Sequence, residues 1–416
     1  MLRSLTFVFL GLFLSNIYSQ DLQYVKESVQ ILSDSSMHGR GYVQNGDGLA
    51  ATFIRNEMKK AGLKSYSNNY FQHFAMPINT FPDTVRVEVD GSSLQPGKDF
   101  VVESNAPAVN GSFELVFIPS DSVLKDSLHR IFPDILLKNK VVVTDGNNPL
   151  MHHDNPFGSA GIIFTEDKKV GWHVSNGFEV KNYFTLKIMK DKIPVNSKKI
   201  KIQINSKFER DHKTQNVIGY LKGTKEPDSI IVIGAHYDHL GMMGSEVWFP
   251  GANDNASGTS MMLDLARYFG KKKYRPDNTI VCIAFAGEEA GLLGSFWFVE
   301  HPPFPLSQVK MMINLDMVGS GSEGIKVVNG TILKTRFNQL KKINEQKKYL
   351  AKVSGRGEAA NSDHYPFYAK GVPAFFIYTL GAESPAYHSI WDTTDNVPFT
   401  EYEDLFNLLT DFIKQL

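Results

Sequence analysis

Four apolar runs dominate the second half of the chain: SIIVIGA (229–235), TIVCIAFA (279–286), KMMINL (310–315) and AFFIY (374–378). A strand that is apolar without alternation must be covered on both faces. Amphipathic stretches at 258–269, 291–299 and 331–346 lie between these runs and have the helical period to provide the cover. The expected architecture is α/β, a mixed, mostly parallel central sheet flanked by helices. In such sheets chemistry gathers in the loops just past the C-terminal strand ends.

The remainder divides by texture. Residues 21–63 read as helical, with Leu49, Phe53, Ile54 and Met58 at helical spacing and Gly62 where a C-terminal cap belongs. From about 81 to 208 short β-rich runs appear at 84–89, 113–118, 140–143, 161–164, 184–190 and 199–204, separated by Gly, Asn, Pro and Asp. The expectation is a catalytic domain from 20–80 and 213–416, interrupted by a small β-rich inserted domain at 81–212.

Residues 1–19 have the form of a signal peptide: Arg3, an apolar run over 5–14, and a small-ending tail over 15–19, with cleavage expected between Ser19 and Gln20. The run is too short to span a bilayer, no Cys follows it to carry a lipid, and no other stretch is long enough to span. An exported bacterial protein, periplasmic or extracellular, with no integral membrane segment after cleavage is expected. The single cysteine, Cys282, rules out an intramolecular disulfide and a Cys-based zinc site; an exported protein without disulfides suits a bacterium, or a host that stabilises by core and metal instead. With 44 Lys+Arg against 44 Asp+Glu, charge gives no reason to expect a nucleic acid partner.

Each apolar run is followed by acids or imidazoles. His236, Asp238 and His239 follow the first, and Asp254 lies in the next loop at a helix start. Glu288 and Glu289 follow the second run, Asp316 the third, and Tyr387 and His388 come after the fourth. Carboxylates gathered this closely repel and take up protons unless a cation holds them. Two His with several Asp/Glu and no Cys suit zinc first, with manganese or cobalt as alternatives. Five ligands serve two metals if one carboxylate bridges, and a spare acid beside a ligand can act as general base.

The segments GAHYDHLG, GANDNASG, AFAGEEAGLLGS, INLDMVG and YHSIWDTTDN resemble, in order, the metal-site blocks of the secreted di-zinc aminopeptidases, metallopeptidase family 28. The opening SDSSMHGRGYVQNGDGLAATFIRNEMKKAGL resembles that family's N-terminal helix region. LKNKVVVTDGNN with GSAGIIFTED resembles a reduced protease-associated domain.

The resemblance implies two Zn²⁺, one held by His236 and Asp316, the other by Glu289 and His388, with Asp254 bridging. It implies Glu288 as the base that activates a bridging water, Asp238 as the acid that orients His236, and Tyr387 as the donor to the oxyanion. It also implies a cis peptide at Asp254–Asn255. The implied activity is hydrolysis of N-terminal residues from peptides with a free N-terminus. Carboxypeptidase and glutaminyl-cyclase relatives on the same fold are the alternatives, with a receptor-like binding protein from another class; Arg356 is the basic residue a carboxypeptidase reading would enlist.

Other motifs read as bland. Asp363 and His364 suit a structural role behind the ligands. His152-His153-Asp154 lacks the strand-end context and reads as a solvated loop. The G-x-G-x-x-G match at 319–324 precedes a strand and not a helix, against a dinucleotide site. The sequons at Asn110, Asn255 and Asn329 read as chance matches. Trp248 and Phe249 either line a substrate pocket or pack under their loop. No G-x-S-x-G and no H-E-x-x-H is present, which removes the usual serine hydrolase elbow and the commonest single-zinc helix.

Overall fold

The computed structural model describes residues 20–67, 69–118, 137–145, 155, 157–383 and 386–416. The signal-peptide segment and the His152-His153-Asp154 run lie outside the described residues.

The four apolar runs form the middle of an eight-stranded sheet. In spatial order its strands are Phe71–Thr80, Lys207–Leu221, Asn278–Phe285, Glu226–His236, Val309–Leu315, Ala374–Leu380, Gly324–Val328 and Val353–Gly355. Glu226–His236 is parallel to both its neighbours, and Val309–Leu315 is parallel to Ala374–Leu380. Lys207–Leu221 and Gly324–Val328 flank this parallel centre antiparallel to it. The sheet is therefore mixed, with the parallel strands where the apolar runs predict them.

Successive side chains on these strands go to opposite faces. Ile231, Ile233, Ile280, Cys282, Met311 and Ile313 join the larger core, under the helices Leu22–Ser33, Gly46–Lys60, Gly258–Gly270 and Tyr402–Lys414. Ile230, Val232, Val281, Ile283 and Met312 join a second core, with Phe298 and Phe367 from the helices Leu293–Glu300 and His364–Ala369. Every residue of Asn278–Phe285 is buried, which is why that run shows no alternation. Among the described residues no helix is long and apolar enough to cross a membrane.

The N-terminal region departs from a single helical stretch. Leu22–Ser33 and Gly46–Lys60 are separate helices with a 3₁₀ turn, Ser35–Arg40, after the first. The Asp34 carboxylate accepts the Ser36 N–H, and Arg40, Gln44 and Asn45 have positive φ, so the backbone cannot continue as one helix. Ile54 and Met58 are buried as their spacing predicts, but Leu49 is 39% exposed. Gly62, at φ +79, ends the second helix in the left-handed conformation glycine tolerates.

A second eight-stranded sheet is built from the middle of the chain. Its order is Ser92–Leu94, Val85–Val89, Lys199–Ile204, Val109–Phe117, Lys140–Asp145, Gly161–Glu166, Phe184–Met189 and Phe100–Val102. The chain enters and leaves this sheet through one antiparallel ribbon, Phe71–Thr80 paired with Lys207–Leu221, where Thr80 lies opposite Lys207. Asn79 Nδ2 donates to the Ser104 and Ala106 carbonyls at 2.8 and 2.9 Å and ties the ribbon to the sheet it feeds. Trp172 packs between Phe81 and Phe249, with ring centroids 6.2 and 4.8 Å away. Phe249 is thus buried beneath its loop, not lining a pocket.

The core reading is tested at Ile233, buried in the central strand. Ile233→Ala should lower the unfolding free energy by about 2–5 kcal/mol. The check is a shift in denaturant midpoint at unchanged slope.

Candidate metal centre

The parallel strands point their C-terminal ends at one place. Glu226–His236 ends on His236, Val309–Leu315 delivers Asp316, and Asn278–Phe285 leads to the turn that carries Glu288 and Glu289. Asp254 lies just before the helix Gly258–Gly270, and His388 follows the strand Ala374–Leu380. The structure brings His236, Asp254, Glu289, Asp316 and His388 together, all buried.

Asp254 stands at the centre. Its Oδ1 is 3.4 Å from His236 Nε2, and its Oδ2 is 3.1 Å from His388 Nε2. His236 Nε2 is also 3.3 Å from Asp316 Oδ1, and His388 Nε2 is 3.1 Å from Glu289 Oε2. One carboxylate therefore faces two imidazoles, each with a further carboxylate of its own. The peptide bond between Asp254 and Asn255 is cis.

The donor set fits a cation. The ligand atoms of His236, Asp254 and Asp316 lie within 4.8 Å of one another, as do those of His239, Asp254 and Glu289. Asp316 Oδ1 is buried with no hydrogen-bond partner, although Oδ2 accepts the Ser362 hydroxyl at 2.8 Å. The imidazoles respond to the excess negative charge. Burial pulls His236 down, but the Glu288 and Asp316 carboxylates outweigh it and lift the ring well above its ordinary range. Against the same pull of burial, Glu289 and Asp254 push His388 up to about 11. Both shifts have one cause, a surplus of carboxylate charge around the rings. Oxygen and imidazole donors without thiolate match zinc, the reading made from the sequence.

Glu288 is only partly buried, unlike Glu289. Desolvation, with the neighbouring Glu289, Asp363 and Asp316 carboxylates, raises its carboxyl well above the usual range despite the opposing pull of His236. The Asp238 carboxylate accepts the Glu288 and Glu289 N–H groups at 3.2 and 3.3 Å and the Tyr42 hydroxyl at 2.7 Å. It lies 3.8 Å from His236 Nδ1, which is closer to the Asp238 main-chain carbonyl, at 3.1 Å. Asp238 thus meets His236 through its backbone, while its side chain braces the Glu288–Glu289 turn. Tyr387 stacks on His388 with ring centroids 3.8 Å apart and is 45% exposed, so its hydroxyl can meet a ligand from solvent. Asp363 and His364 are fully buried, with no hydrogen-bond partner for either carboxylate oxygen or ring nitrogen. Burial, with the Asp238 and Asp316 carboxylates, raises Asp363 to about 7 against the pull of His236, and Ser362 beside it holds Asp316.

Several supporting residues were given no role from the sequence. Arg40 is wholly buried and directs its guanidinium at main-chain oxygens. Nε meets Tyr237, Nη1 meets Leu32 and Pro250, and Nη2 meets Gly251 and Asp254, at 2.7–3.2 Å. Burial lowers it to about 10, where it still carries its charge near neutral pH. Asp392 accepts the Asn253 and Asp254 N–H groups at 2.8 and 2.9 Å and clamps the loop that presents Asp254. His239 Nδ1 is 2.7 Å from Glu289 Oε1. Asp392 and His239 sit inside quoted motifs, so their positions past strand ends were the available signal. Of the sequons, Asn255 and Asn329 are buried, with Nδ2 on the Leu315 and Ala374 carbonyls, and cannot accept a glycan in this fold.

The family model of peptidase family M28 matches residues 216–413. Aminopeptidase YwaD of Bacillus subtilis is 34% identical over 209 residues, which is 47% of this chain and 43% of that protein. A probable leucine aminopeptidase of Arthroderma otae is 32% identical over 218 residues, 50% of this chain and 60% of that one. A glutamate carboxypeptidase 2 homolog of Caenorhabditis elegans is 31% identical over 233 residues, 48% and 29%. The match spans less than two thirds of each of these relatives. Among solved structures, BSAP, a zinc aminopeptidase from Bacillus subtilis, superposes with a TM-score of 0.72 at 20% identity, covering 94% of each chain. A peptidase M28 precursor from Shewanella amazonensis gives 0.71 at 16%, covering 95% of this chain and 93% of that one. At these identities the structural likeness speaks for the fold. The matched residues 216–413 carry the whole cluster around Asp254, and over them the chain is similar to peptidase family M28.

Proposed function

We propose that this chain is an exported zinc aminopeptidase that removes N-terminal residues from peptides, with two metal ions that Asp254 and its neighbours would hold. The observation that carries the reading is the Asp254 carboxylate, whose two oxygens face two different imidazoles. His236, Asp254 and Asp316 would hold one ion; Asp254, Glu289 and His388 would hold the other. Zinc in these positions supplies Lewis-acid polarisation of a carbonyl and a water that loses its proton near neutral pH.

The chain's own groups do the rest. Glu288 takes the proton of the attacking water and returns it to the leaving amine; desolvation raises its carboxyl well above the usual range and so favours proton uptake. The Asp238 brace on both turn N–H groups fixes the segment from which Glu288 and Glu289 diverge. The Tyr387 hydroxyl donates to the carbonyl oxygen as it gains charge.

Charge favours amino- over carboxy-terminal recognition. The site is rich in carboxylates, which suits an ammonium group. Arg40 spends its N–H groups on main-chain oxygens, and Arg356 lies 3.4 Å from the Tyr378 hydroxyl, on the strand Ala374–Leu380. The names of the Bacillus and Arthroderma relatives agree with this choice. Export rests on the leader-like composition of residues 1–19.

The purified mature protein should bind two zinc ions per chain and release residues from unblocked peptides but not from N-acetylated ones. One ion or none, or indifference to the acetyl group, would overturn the proposal. Glu288→Gln should retain both ions and lose roughly 10²–10⁴-fold in kcat. Near-normal turnover in that variant would remove Glu288 from the mechanism.

A further inference from the structure

We infer that His173, carried by the β-rich domain, is a positioning residue for the metal centre: it accepts a hydrogen bond from His388 and holds that ring in the orientation in which it can ligate. The inference rests on the two-metal reading above.

The argument begins with tautomers. His388 directs Nε2 at Asp254 and Glu289, 3.1 Å from an oxygen of each. A neutral imidazole can offer that nitrogen's lone pair to a cation only when its proton sits on Nδ1. The partner of His388 Nδ1 is His173 Nδ1, at 2.9 Å. With the proton on His388, His173 must be the acceptor. Ring centroids 4.4 Å apart and planes at 59° bring the two nitrogens edge to edge.

The other terminal members of the cluster are held in a comparable way. His236 Nδ1 faces the Asp238 carbonyl at 3.1 Å, Asp316 Oδ2 accepts from Ser362 at 2.8 Å, and Glu289 Oε1 is 2.7 Å from His239 Nδ1. Such outer partners fix ligand orientation and raise ligand basicity. Those three lie in the M28-matched part of the chain, while His173 comes from outside it, between two strands of the second sheet.

The backbone supports the same contact. The Trp172 N–H donates to the His388 carbonyl at 3.0 Å, and Lys169 Nζ donates to the Tyr387 carbonyl at 3.1 Å. Trp172 is itself anchored, buried and with its indole N–H on the Val102 carbonyl at 2.7 Å. His388 has φ +55, a conformation non-glycine residues seldom adopt, and the segment 169–173 lies against it. The β-rich domain thereby contributes to the site that holds Glu289 and His388, and its docking helps set how firmly the second ion is kept.

His173 is exposed, so its replacement should leave the fold intact. The test is stepwise Zn²⁺ affinity of the full-length, metal-free protein by competition with a chromophoric chelator. The visible spectrum of the Co²⁺-loaded form and a thermal melt of each variant accompany it. His173→Ala should weaken one ion by about tenfold or more, leave the other unchanged, and shift the Co²⁺ bands. His173→Gln, whose side-chain carbonyl can accept the same hydrogen bond, should recover most of the loss. Wild-type affinity at both ions in His173→Ala, or equal weakening of both with a lowered melting temperature, would overturn the role. A wild-type protein that binds fewer than two ions would instead overturn the two-metal reading, and would do so before any variant is compared.

Discussion

The arrangement depends on burying negative charge at one point. Asp254, Glu289 and Asp316 converge with Glu288 and Asp238 close by, and most of this charge is sealed from water. Carboxylates so placed are tolerated only with compensating positive charge. The wholly buried cation nearby, Arg40, gives its hydrogen bonds to main-chain oxygens of the surrounding loops and acts on the acids only through space. The remaining compensation falls to the imidazoles, or to the metal ions the same atoms can hold.

The scaffold serves that convergence in layers. Parallel strands covered on both faces give rigid ends from which the ligands project. A ring of main-chain hydrogen bonds then sets the loops. Asp392 holds the loop of Asp254, Asp238 holds the turn of Glu288 and Glu289, and Arg40 ties the 250–254 loop to residues 32 and 237. These groups use charge-assisted bonds, about twice as strong as neutral ones, where a small displacement would separate the ligands.

The parts legible in the sequence share one property: local pattern and chemistry coincide. His236, Glu289 and Asp316 each follow a continuous apolar run, so the fold and the cluster could be read together. The break between Leu22–Ser33 and Gly46–Lys60 was legible only in part: Asn45 is a type that tolerates positive φ, but nothing in Arg40 or Gln44 marks the same conformation. Arg40 looked like an ordinary member of a helical region, and four of its five partners lie some two hundred positions away. His173 had even less to mark it, since it follows no strand end of the central sheet and meets His388 only through the docking of two sheets. Asp238 was legible as a residue but not in its bonding, because the choice between its carboxylate and its carbonyl depends on the loop's path.

The ribbon of Phe71–Thr80 and Lys207–Leu221 has a consequence for assembly of the chain. The helices before residue 71 and the strands after 221 are parts of one core, yet a long stretch of sequence separates them. Thr80 lies opposite Lys207, so once the ribbon has zipped up, the two distant pieces behave as if joined by a short hairpin. Loop closure is the main entropic obstacle to contacts between such remote segments. The β-rich sheet, by holding both ends of the ribbon side by side, turns the obstacle into a local step and brings Arg40 within reach of the loop it must bind.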